Sequence, residues 1–184
     1  MEYTTVREQE NRNHTAFAVG DAVVYRAEGV CDIVDIRKEA FGTSADGEEY
    51  YILSPRNDAN SSIYVPVHNE RLTAMMRPIV TKEELAAMIR ELCELRLEWL
   101  PESRARSNAF REILSLGERR ALIVLVLTVK ERIEQTIAMG KKPGSTETGA
   151  LSRACKLLRD EISLIVPLHN DEELIALLRG EREI

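Results

Sequence analysis

Between Phe17 and Val67 apolar and polar residues alternate along short runs, and after Pro78 apolar residues recur every three or four positions. The first spacing belongs to half-buried strands and the second to amphipathic helices. VGDAVVYR (19–26), VCDIVDIR (30–37), EYYIL (49–53) and IYVPV (63–67) are four such strands. Gly29, the group Gly42, Asp46 and Gly47, and the turn-rich RNDANSS separate them. Four short strands this close in sequence predict a small, curled antiparallel barrel, which protects its strand edges better than a flat sheet does.

Past Pro78, Thr81 followed by Glu84 forms a capping-box pattern, and Leu85, Ile89, Leu92 and Trp99 then recur at helical spacing. A second helix opens near Pro101 or Ser103 and stops at Gly117. A third runs from about Glu118 to Met139, broken by Gly140, with an apolar centre at 122–127 that belongs in the middle of a core. Lys141 to Gly144 reads as a loop. Ser145 is placed to cap a fourth helix that turns Leu151, Leu158, Ile162 and Ile165 inward and ends before Pro167, and Asn170 to cap a short last one reaching Arg179 and Gly180. The expected fold is α+β in two domains: a tail at 1–15, a small β-barrel at 16–78, and an all-α domain of about five helices at 79–184.

Composition narrows the class. With 44% hydrophobic and 30% charged residues among 184, the chain is an ordinary globular one. Its longest apolar run, ALIVLVL at 121–127, falls far short of the roughly 20 residues that cross a bilayer. The polar start MEYTTVREQENRNH lacks the apolar centre of a signal peptide, so the expectation is a cytoplasmic protein without a membrane partner. Cys31, Cys93 and Cys155 are odd in number and far apart, and His14, His68 and His169 are scattered. Neither a disulfide framework nor a metal site is suggested, and no cofactor is expected.

The net charge of −6 hides an uneven distribution. Residues 104–159 hold 12 basic against 5 acidic side chains, while each flanking region is acidic. An acidic protein does not usually meet nucleic acid, but a single basic segment inside one is a candidate footprint.

No catalytic constellation emerges: the chain has no nucleophile elbow, HExxH, GxxxxGK[ST] or GxGxxG after a strand. The expectation is a non-enzyme. GKKPGST (140–146) lacks phosphate-loop spacing, and the pairs Glu83/Glu84 and Asp160/Glu161 read as solvated helix faces. Two features keep two readings each. Lys141 and Lys142 before Ser145 are either a solvated interhelix loop or an anion site at a helix start. Trp99 is either a core residue seven positions beyond Leu92 or a ring held outward beside Arg104 and Arg106.

The phrases F17-A-V-G-D-A-V-V-Y25, G29-V-C-D-I-V-D-I36, E49-Y-Y-I-L53 and I63-Y-V-P-V67 resemble the CarD/CdnL family of bacterial transcription regulators, and the first half resembles the polymerase-interacting module of transcription-repair coupling factors. The resemblance implies a Tudor-like or SH3-like barrel docking on the β subunit of RNA polymerase. It also implies a helical domain that contacts the minor groove of promoter DNA at the upstream edge of the bubble and stabilises the open complex, in a monomer located through its polymerase on the nucleoid. Carried onto this chain, the DNA-contacting residues are Trp99, Arg104, Arg106, Arg111, Lys141, Lys142, Ser145 and Arg153. The polymerase-contacting residues are Arg37, Lys38, Ile63, Tyr64 and Val65. Family members often carry a basic residue where Tyr64 stands, which leaves Arg37 and Lys38 to supply charge, and Leu-Pro-Glu-Ser separates Trp99 from Arg104 where the family spacing differs. A rival reading is an adaptor that binds polymerase and a second protein without touching DNA.

Overall fold

The structure is a computed structural model that describes residues 17–41, 47–58 and 60–184. The expected tail at 1–15 and the turn residues Gly42 and Asp46 lie outside them. The chain divides after Ile79 into two compact units.

The first unit is an antiparallel sheet built from β1 (Ala22–Tyr25), β2 (Gly29–Glu39), β3 (Glu48–Pro55), β4 (Ile63–Pro66) and β5 (Met76–Pro78), in the order β4-β3-β2-β1-β5. Arg26 to Glu28 form one tight turn, and Gly29 leaves it at φ 74° and ψ −143°, a conformation that a side chain would strain. The register of β2 against β3 shifts between Ile33 and Asp35, a bulge that bends the sheet. All five strands send residues into one core made of Val23, Tyr25, Cys31, Ile33, Tyr51, Leu53, Val65 and Met76. The alternation of Cys31 and Ile33 with the polar Asp32 reported the core face of β2, whereas Val24 in β1 and Ile52 in β3 are buried although they neighbour core residues and so face the other side.

Four strands were expected, and five are present among the described residues. β5 is three residues long, too short to show a period, and it pairs with β1 through Val23, Val24 and Tyr25. The short helix α1 (Glu70–Thr73), whose start is capped by the Asn69 side chain accepting from the Leu72 N–H, was likewise below the length at which a period appears.

The second unit holds α2 (Lys82–Leu92), α3 (Ser103–Leu116), α4 (Arg119–Ala138), α5 (Ser145–Ile162) and α6 (Asp171–Leu178). Both halves of the Thr81/Glu84 capping box form. Gly117 ends α3 in the left-handed region at φ 67°. In α4 every residue from Ala121 to Val129 is buried, and α5 closes over it with Ala150, Ala154, Cys155, Leu158 and Ile162. The Asn170 side chain accepts from the Glu173 N–H and starts α6, as its position suggested.

Three expectations change here. The first helix stops at Leu92, so Trp99 does not continue the stripe of Leu85 and Leu92. Ser145 is the first residue of α5 and not its cap; Gly144 holds the cap position without a side-chain bond. Glu161 is not on a solvated face. It is 1% exposed, accepts from the buried Arg119 guanidinium at 2.6 Å, and takes the Val80 N–H at 3.1 Å.

Candidate functional site

Trp99 lies in the irregular stretch between α2 and α3, and a chain without its own ladder must find other partners for its polar groups. It finds them in three side chains. Arg96 donates to the Cys93 and Leu95 carbonyls at 2.8 Å each and to Glu131 of α4 at 2.6 Å. Thr128, buried in α4, donates to Val124 O at 2.7 Å and accepts the Leu97 N–H at 2.8 Å. Arg106 of α3 donates to the Leu100 and Pro101 carbonyls at 2.8 Å each and to Glu147 of α5 at 2.9 Å.

Held between these ties, the Trp99 ring is half-buried. It packs against the edge of the helical core, with Phe110 at 6.3 Å between ring centroids and tilted by 57°. The guanidinium carbons of Arg106 and Arg132 lie 4.9 and 5.0 Å from its centroid, within cation–π range. The ring lines a cleft of about 320 Å³ together with Arg132, Thr136, Met139, Pro143 and Glu147. Trp99 is thus partly a core residue and partly the wall of an opening.

Apart from Arg132, which lies over the Trp99 ring, the cations of the basic segment separate into two groups. Arg106, Arg119, Arg120 and Arg159 are spent on Glu147, Glu161, Glu91 and Asp171 respectively, and Lys130 sits 3.7 Å from Glu134. Arg104, Arg111, Lys141, Lys142, Arg153 and Lys156 are exposed and form no ion pair among the described residues; Arg111 makes one bond of 3.3 Å to Asn108. The Arg106–Glu147 bond joins the first turns of α3 and α5. It gathers Arg104, Lys141, Lys142 and Ser145 at one end of the helical unit, with Arg111 and Arg153 roughly 10 to 12 Å further along their helices at 1.5 Å per residue. Of the residues expected to meet phosphate, Arg106 is a brace for the tryptophan segment. Arg132, Glu147 and Thr128 were missed; the sequence signal for Thr128 was a hydroxyl inside an otherwise apolar run.

In the first unit, β4 is an edge strand. The Val67 N–H donates to Glu49 O at 2.8 Å, and antiparallel strands alternate the direction of their polar groups. Given the pairings Tyr51 with Val65 and Ile52 with Tyr64, Val65 bonds toward β3 and Tyr64 turns its N–H and C=O outward. Pro66 has no N–H, and its carbonyl accepts from Asn69. The free edge is therefore one rung at Tyr64. The Val65 side chain is fully buried and its backbone groups go to β3, so it offers nothing to that edge, while Ile63 is half-buried and Tyr64 is 38% exposed.

Arg37 pairs with Tyr50 across the sheet and Lys38 with Glu49, so the two cations point to opposite faces. Arg37 is held by Asp35 at 3.0 Å and Glu39 at 2.6 Å. Beside it Phe41, Tyr50 and Tyr64 form a surface cluster with centroids 5.2, 5.1 and 6.3 Å apart, all edge-to-face. The Tyr50 hydroxyl donates to Glu48 at 3.2 Å.

The first unit thus presents an open rung on β4, and the second a set of exposed cations without ion pairs among the described residues. Residues 17–80, the stretch that contains β1 to β5, match the family model of the CarD-like/TRCF RID domain. The family is a non-enzymatic RNA polymerase-binding domain found in transcription-related proteins, and the expected resemblance is met over the sheet. No curated protein matches the chain at a significant level. Among the described residues no helix is long and apolar enough to cross a membrane, and no group of His, Cys, Asp and Glu is placed to hold a metal ion.

Proposed function

We propose that the chain regulates transcription by docking its sheet on the β subunit of RNA polymerase through the β4 edge and by laying the cationic end of its helical unit on promoter DNA at the upstream edge of the bubble, which favours the open complex. The observation that carries the reading is the family match over a sheet whose edge is open at Tyr64. An extended polymerase segment adds there as a further strand, the backbone supplying affinity and neighbouring side chains supplying choice. Arg104, Arg111, Lys141, Lys142 and Arg153 then meet phosphates, the free N–H groups of the α5 start at Ser145 serve the same anions, and Trp99 meets the minor groove from the wall of its cleft. An aromatic wedge costs least in a duplex already distorted, so it binds the opening promoter better than the closed one, and that difference alone shifts the population.

The test uses the full chain and an immobilised β-subunit lobe. Retention of the wild-type chain, together with its loss in Tyr64→Pro, is the expected result. Of the backbone groups proline removes only an outward N–H, which an edge strand tolerates, and Tyr64→Val, which keeps that N–H, is the comparison for the lost ring. A folded wild-type chain that is not retained overturns the reading.

A further inference from the structure

Phe41, Tyr50 and Tyr64 are in mutual contact on the outside of the sheet, and none of the three belongs to its core. Phe41 is 57% exposed and Tyr64 38%, an arrangement that wastes apolar surface unless something covers it. The charge around the cluster says what that is. On the same face, in register with Tyr50, stand Asp35, Arg37, Glu39 and Glu48. Three carboxylates accompany one guanidinium, and that guanidinium is already held by two of them. The third carboxylate, Glu48, accepts from the Tyr50 hydroxyl. Aromatic faces are the negative part of the ring quadrupole, and rings beside surplus carboxylate attract a cation with an apolar stem.

The free rung at Tyr64 lies within this cluster. A strand adding to β4 there sets one of its residues beside Tyr64, whose ring contacts the other two, so that residue's side chain is brought to the edge of the cluster.

We infer that the Phe41–Tyr50–Tyr64 cluster is the specificity pocket of the β4 edge and that it receives an arginine or lysine side chain from the partner strand. The inference rests on the docking role of β4 and adds which strand the edge selects. Tyr64 stands at this edge as an aromatic acceptor, so the partner supplies the positive charge.

Two measurements on the full chain test this. In the first, the dissociation constant for RNA polymerase is measured for the wild type, Phe41→Ala, Tyr64→Val and Tyr64→Arg. The two truncations are expected to weaken binding about tenfold, the scale of a partly desolvated cation–π contact. Tyr64→Arg is expected to weaken it further, with melting temperatures unchanged. Truncations that bind like the wild type, or a Tyr64→Arg chain that binds more tightly, overturn the inference while leaving the docking role intact.

The second measurement does not involve polymerase. Ring resonances of Phe41, Tyr50 and Tyr64 in the labelled chain are followed while the hexapeptide Val-Thr-Val-Arg-Val-Thr, or its counterpart with Glu in place of Arg, is added at millimolar concentration. Shifts with the arginine peptide alone support the pocket. Equal shifts with both peptides, or none with either, refute it even where polymerase binding itself holds.

Discussion

Cys31 and Cys155 lie in the two cores, and burial, with Glu28 and Asp32 adding at Cys31 and Asp171 at Cys155, pushes their thiols up to about 11 and about 12. Cys93 sits half-buried at the end of α2. Since the thiolate is the reactive form, less than about one in a thousand of either buried cysteine is reactive near pH 8 even before access is considered. Titration of the native chain with an aromatic disulfide reagent is expected to give one fast thiol, lost in Cys93→Ser, and three only after unfolding. A second residue-scale expectation concerns Asp32. Hydrogen bonds from Arg56 hold its carboxyl below the usual value of 3.8. A depressed folded pKa means the contribution is present at neutral pH and disappears as pH falls through that lowered value. Both partners are about two-fifths exposed, so Asp32→Asn is expected to lower stability at pH 7 by only about 0.2 to 1 kcal/mol. In urea melts the difference from the wild type closes on the acid side, below pH 3.8.

At the scale of elements, the parts legible in the sequence are those whose spacing repeats. The strands around Val23, Cys31 and Leu53, the capping box at Thr81, the apolar centre of α4 and the Asn170 cap all follow from local patterns. β5 escaped because three residues carry no period and only pairing with β1 defines them. The helical spacing to Trp99 fails for the opposite reason: seven residues past Leu92 continues a helical count on paper, but the backbone leaves the helix at Cys93 and is then held by contacts from α3 and α4 that no local pattern encodes. Thr128 shows the dependence best. Its hydroxyl satisfies Leu97 N–H from 31 residues away. Thr128→Val keeps the shape and removes the acceptor of a part-buried donor, so it is expected to cost about 1 kcal/mol, the low end of the penalty for a donor left unmet. Because Trp99 is the only tryptophan, its fluorescence reads the released segment directly. An unchanged emission spectrum together with an unchanged melt would show that the tie does not hold the ring. The cationic end was only half legible for the same reason: composition counted the charges, and only the fold shows that Arg106, Arg119, Arg120 and Arg159 are already partnered.

For the whole molecule, the question is how a chain of net charge −6 makes use of a cationic end. Non-specific DNA affinities at physiological salt are typically about 10⁻⁴ to 10⁻⁶ M for proteins with good basic surfaces, and under the proposed function an acidic remainder would put this chain at the weak end. The proposed docking through β4 would change the arithmetic, since a tethered module would face nearby DNA at an effective concentration on the order of mM, enough to fill a site of about 10⁻⁴ M. DNA contact is therefore expected to require polymerase. In fluorescence anisotropy the free chain should show no saturable binding to promoter duplex below about 10⁻⁴ M at physiological salt. Added to polymerase, it should extend protection at the upstream edge of the bubble. The two groups of cations give opposite signatures in that ternary complex. Replacing Arg104, or Lys141 and Lys142 together, frees phosphates and should flatten the plot of log affinity against log salt by about 0.9 for each phosphate no longer neutralised, with no change in the melt. Arg106→Ala should do the reverse: it lowers the melt of the helical unit by releasing the Leu100 and Pro101 carbonyls and Glu147, and it reaches DNA only through the displaced Trp99. A free chain that binds duplex tightly, or a complex indifferent to salt and to Arg104, would replace DNA contact with a second protein as the target of the helical unit.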